Sequence, residues 1–149
     1  MNRTRLIQRL RNLLPLVAAG LLLAACGGHD KTDPHSAPRE PKAYESVDVS
    51  MLSQSELLAH LTTISSVANE AVKASDAAEF HHLEEAMTPA LDALASTVGD
   101  KPDALETIDA LKALAIKLHE AGHDGNIGMG AKIVTKINEL EAKLAIELK

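Results

Sequence analysis

Tryptophan is absent from the 149 residues, and tyrosine and phenylalanine occur once each, at Tyr44 and Phe80. A chain this poor in aromatics has no stacking platform for sugars, bases or polyproline ligands, and it argues against a deep apolar ligand pocket. Its core falls to Ala, Leu, Ile and Val. Cysteine occurs once, at Cys26, so no intrachain disulfide can form, and no Cys-x-x-Cys-His run attaches a c-type haem. An excess of positive charge is missing too: 15 basic residues stand against 21 acidic ones. That balance excludes the basic surface that nucleic acid requires and a polybasic grip on anionic lipid.

Long apolar runs are limited to one, from Leu13 to Ala25, preceded by Arg3, Arg5, Arg9 and Arg11 without an acid among them. This is the build of a secretory signal peptide over residues 1–25. The run is 13 residues long and carries Pro15 and Gly20, short of the roughly 20 needed to span a bilayer. Leu23-Ala24-Ala25-Cys26 resembles the lipobox of bacterial lipoproteins. The resemblance implies a diacylglyceryl thioether on Cys26, cleavage before it and acylation of the new amino terminus. Each buried methylene adds about 0.8 kcal/mol, so three acyl chains on Cys26 would hold the protein to the lipid bilayer. Gly27 stands where an aspartate resembles an inner-membrane retention signal, which points to a periplasm-facing protein of the outer membrane. Loss of residues 1–25 removes four of the 15 basic residues and no acid, leaving 11 against 21 and a net charge of −10.

Residues 26–50 contain Pro34, Pro38 and Pro41 and few aliphatic side chains. They read as a lipidated flexible tether, with Tyr44 inside it, spanning on the order of 30 Å. The remaining residues, 51–149, read as helix throughout. Ser53-Gln54-Ser55-Glu56 is a capping box, followed by apolar positions Leu57, Leu58, Leu61, Ile64, Ala68, Ala71 and Val72 on one helical face. Ser75 or Asp76 opens a second helix, whose inner stripe is Phe80, Leu83, Met87, Ala90, Leu91, Leu94 and Val98. Pro89 predicts a kink near Met87, or a split into two helices with Thr88 as a fresh cap. Lys101-Pro102 opens a third, burying Ala104, Leu105, Ile108, Leu111, Ala115 and Leu118. A glycine-rich loop from His123 leads into a fourth from about Gly130, with Ile133, Ile137, Leu140 and Leu144 inward. Four helices of about 20 residues joined by short loops predict an all-α, antiparallel, up-down-up-down four-helix bundle.

The histidines carry what chemistry there is. His119-Glu120-Ala121-Gly122-His123 satisfies the zinc-hydrolase pattern His-Glu-x-x-His. That pattern also needs a third ligand and a strand to align a peptide. Gly122 lies within the motif, and Met129 occupies the place of the third histidine in the elongated form. A binding site that performs no catalysis fits better. In a hairpin centred near Asp100, His81 lies 19 residues before the turn and His119 19 after it, so they sit at one height. The next loop returns His123 and Met129 to that end, and His82, Glu84 and Glu85 are close by. Facing side chains on neighbouring helices build metal sites in bundles, and imidazole with thioether or carboxylate suits copper, zinc or nickel. On a helical wheel His119 falls on the apolar face, whereas His81 and His82 fall on opposite flanks of the second helix, so at most one of them turns toward His119. The bland alternative is an inward, hydrogen-bonded His119 with solvated helix-end histidines.

The stretches ASDAAEFHHLEEAMTPALDAL (74–94) and LHEAGHDGN (118–126) resemble the soluble four-helix cytochromes b of the bacterial periplasm and a related family of small exported helical proteins of unknown function. The resemblance implies the bundle fold, and in the second family His81 or His82 and His119 match recurrent histidines. The cytochromes hold haem with a methionine early in the first helix and a histidine late in the fourth. Here the fourth helix has no histidine, and Leu or His60 stands in the region of the methionine, so haem is not expected. A second functional reading is an envelope protein whose acidic outer faces meet a partner protein.

Overall fold

The computed structural model describes residues 39–149, all of whose regular structure is helical. Four long helices, α1 (Gln54–Ala74), α2 (Glu79–Val98), α3 (Pro102–His123) and α4 (Ile127–Glu147), follow two 3-10 turns at Ala43–Ser46 and Val49–Met51. Each long helix packs on its neighbours in the chain, and α1 also packs on α4. None of the described helices is long and apolar enough to cross a membrane.

The local chemistry explains where each helix starts and stops. Ser53 accepts from the Glu56 amide while Glu56 reaches back to the Ser53 amide, the reciprocal cap expected at α1. α1 ends with Ser75 in the left-handed region at φ 57°, where the Asp76 amide donates to Ala71 and that of Ser75 to Val72. Asp76 in turn accepts from the Glu79 amide at the start of α2. Pro102 occupies the first turn of α3, where a missing amide proton costs nothing.

Three expectations change. Of the two outcomes predicted at Pro89 the split does not occur: α2 is one element through Pro89, and the Thr88 hydroxyl, instead of capping a new helix, donates to the Glu84 carboxylate at 3.0 Å. The glycine-rich loop shrinks to 124–126, because Gly125 turns the chain at φ 61° and the Asn126 side chain accepts from the Met129 amide, starting α4 at Ile127. The folded unit also begins before residue 51. Tyr44, expected in a solvated tether, is buried, and its hydroxyl donates to Glu79 at 2.6 Å.

The core lies between the helices and is built from the stripes read in the sequence. Leu57, Leu61, Ile64 and Ala68 of α1 meet Phe80, Leu83, Met87, Leu91 and Leu94 of α2, with Ile108, Leu111, Ala115 and Leu118 of α3 and Ile133, Ile137 and Leu144 of α4. Leu58, Val72, Leu105 and Leu140 are partly buried at its margin.

Candidate metal centre

Two glycines bring the start of α2 hard against the end of α3 and the start of α4. A Cβ at Gly122 would lie 3.0 Å from the Ala77 carbonyl oxygen and 3.2 Å from the His81 ring. A Cβ at Gly130 would sit 2.2 Å from the Phe80 ring. The missing side chains allow Phe80 to insert fully and carry its neighbour His81 inward. The glycine inside the His-Glu-x-x-His run is thus a packing requirement.

His119 and His123, four residues apart, occupy one face at the last turns of α3. Their Nε2 atoms are 3.1 Å apart. His81 enters from α2, its ring centroid 4.2 Å from that of His119 and 4.0 Å from that of His123, both edge-on. One ring nitrogen from each of the three lies within 4.8 Å of the others. Exposure is graded: His81 is fully buried, His119 half-buried and His123 exposed. The centre therefore has a closed floor on α2 and an open side at His123.

Three imidazoles this close together could hold a borderline transition metal ion. Two nitrogens bound at about 2.0–2.1 Å in tetrahedral geometry would lie about 3.3 Å apart. The 3.1 Å between His119 and His123, which is also a hydrogen bond between the two rings, is within a few tenths of an ångström of this, while the trio as a whole spreads over 4.8 Å. The neutral nitrogen donors suit zinc, copper(II) or nickel and not calcium or magnesium, which take oxygen.

The chain has no match among protein-family models, curated proteins or solved structures.

Of the five tentative ligands named from sequence, the structure brings together His81, His119 and His123. His82 follows His81 by about 100° around the helix; its Nδ1 lies 3.5 Å from Glu85, and it faces a hollow lined by Pro41, Glu45 and Ala86. Met129 is half exposed and borders a separate hollow with Lys117, Glu120 and Asp124, none of whose lining residues belongs to the histidine trio. Cys26 lies outside the described residues, as do His29, Asp30, Asp33 and His35, tether residues that have metal-binding side chains but read as solvated linker. His60 is buried in α1, and burial lowers its pKa.

Sequence reasoning missed the network that fixes the first turn of α2. Glu79 is buried, accepts from Tyr44, and pairs with Lys42 at 2.9 Å. Arg39 meets Glu45 alongside at 2.7 Å. Burial, then the bond to Glu79, pushes the Tyr44 phenol far above its ordinary value. A lone tyrosine after three prolines in a polar stretch is the available signal.

Proposed function

We propose that this chain is a lipid-anchored, periplasm-facing lipoprotein whose helical domain binds one borderline transition metal ion, zinc or copper(II), without catalysing a reaction. In this reading the bundle takes the up-down-up-down course expected from its short connections, and His81, His119 and His123 are the ligands. The observation that carries the metal reading is the convergence of three imidazoles from two helices, with a 3.1 Å nitrogen separation. The lipid anchor is supported by the arginine-rich, apolar, Leu-Ala-Ala-Cys order of residues 1–26.

The carboxylate beside the histidine pair is Glu84, at 3.4 Å from His119. Glu120, the base of a His-Glu-x-x-His hydrolase, is exposed on the side of Met129 and Asp124. This distribution favours holding an ion over activating water on it.

The test uses the full chain extracted from membranes in mild detergent. Zinc or copper(II) at about 100-fold above the dissociation constant adds about 2.7 kcal/mol of stability, so the melting temperature rises by several degrees. His123→Ala, an exposed position that costs least in folding, and His119→Ala abolish the rise; His82→Ala and Met129→Ala leave it. Absence of a shift with either ion, or a shift that survives His119→Ala, refutes the metal reading. The intact mass of the same sample decides the anchor: a triacylated chain starting at Cys26 supports it, and an unmodified chain from Met1 removes it.

A further inference from the structure

We infer that Glu84 is a positioning residue for the metal centre, holding His119 in the tautomer and orientation that present its Nε2 as a ligand. The inference rests on the metal reading for its consequence, but its geometry is independent of any ion. The two nitrogens of His119 face two different partners. Nδ1 lies 3.4 Å from Glu84 Oε2, and Nε2 lies 3.1 Å from Nε2 of His123. The first distance is longer than a hydrogen bond, and a shift of about 0.5 Å turns it into one of ordinary length. A carboxylate beside one ring nitrogen favours a proton there, which leaves the lone pair on the other.

Glu84 is itself held. Its other oxygen, Oε1, accepts from the Thr88 hydroxyl at 3.0 Å, and its side chain is 22% exposed. His81, Glu84 and Thr88 are spaced by three and four residues on α2, so one helical face supplies a ligand, the carboxylate and the group that orients it. The facing helix supplies His119 and His123. A carboxylate hydrogen-bonded to the outer nitrogen of a ligating histidine fixes the ring and raises its basicity, and removal typically weakens metal binding 10- to 100-fold. Charge adds to this: three neutral imidazoles leave a divalent ion with its full charge beside a buried His81, and Glu84 offsets half of it.

Two measurements on the detergent-solubilised full chain test the assignment. The first is metal-free: nitrogen-15 chemical shifts of the histidine rings. In the wild type His119 carries its proton on Nδ1, and in Glu84→Ala that preference is lost. The second is zinc affinity by competition with a chromophoric chelator. Glu84→Ala binds 10- to 100-fold more weakly, while Glu84→Gln, which keeps an acceptor but not the charge, falls between it and the wild type. A His119 tautomer unchanged in Glu84→Ala, or a zinc affinity within twofold of the wild type, overturns the role. Wild-type protein that binds no zinc removes the metal reading instead, and the ring shifts still decide whether Glu84 sets the His119 tautomer.

Discussion

Gly128 and Gly130 stand one residue apart on either side of Met129 in the first turn of α4, and they answer the same substitution in opposite ways. Alanine is favoured over glycine by about 1 kcal/mol inside a helix. At Gly128 an added Cβ meets only the Asn126 side-chain oxygen at 3.7 Å, an ordinary contact, so propensity decides and Gly128→Ala stabilises by up to about 1 kcal/mol. At Gly130 the same atom would lie 2.2 Å from a fully buried Phe80 ring that cannot retreat. Overpacking of about 1–3 kcal/mol exceeds the gain, and Gly130→Ala is expected to lower the denaturant midpoint. Paired urea titrations of the two variants check both signs. Stabilisation by Gly130→Ala would mean that Phe80 is not locked between α2 and α4.

The segment before α1 acts as a strap on the first turn of α2. Its hold is polar: the Tyr44 hydroxyl and the Lys42 ammonium share the two oxygens of buried Glu79. Tyr44→Phe keeps the ring and removes one of these partners, leaving a buried carboxylate with a single contact. A hydrogen bond to a charged group contributes about 1.5–3 kcal/mol, so a loss of about 2 kcal/mol is expected in urea denaturation. Hydrogen exchange should quicken most at the start of α2, next to His81. Exchange that is uniform along α2 would show that the strap stabilises the fold without singling out this turn. The sequence hid the strap because Tyr44 sits among Pro41, Lys42, Glu45 and Ser46, with no period to mark an inward face.

At the scale of the whole molecule, the seam between α1 and α4 carries a polar cluster. Ser65 donates to Glu141 at 2.5 Å, and the Asn69 and Asn138 amides exchange hydrogen bonds at 3.3 and 3.2 Å. Burial pushes the Glu141 carboxyl up to about 7, and the Ser65 hydroxyl opposes only part of that rise. The folded protein therefore binds this proton more tightly than the unfolded chain does. Its contribution to stability is complete below about pH 4.5 and is lost as pH rises through about 7, with an upper limit on the order of 3 kcal/mol. His60 runs the other way: burial depresses its pKa, so its contribution falls as pH drops below its ordinary value of 6.5. Glu141→Gln keeps an acceptor for Ser65 and removes the charge. It is expected to raise the melting temperature at pH 8, leave it nearly unchanged at pH 5, and flatten the wild-type decline between them. A variant that melts in parallel with the wild type at every pH would exclude Glu141 as the source of the decline.

The helices and their inward faces were legible from apolar spacing alone, because period 3.6 marks which side of each helix must leave water, and Ser53, Pro102 and Gly99 mark ends with their own backbone chemistry. A helical wheel also shows that His81 and His82 cannot both serve one site. Which of them turned inward was settled by tertiary contact: Gly130 admits Phe80, Phe80 seats the first turn of α2, and Gly122 lets that turn close on His119 and His123. Periodicity assigns a residue to a face to within a flank. Bringing three imidazoles to within a bond length or two of a common point depends on how closely two helices approach, and that distance is set by atoms far apart in the chain.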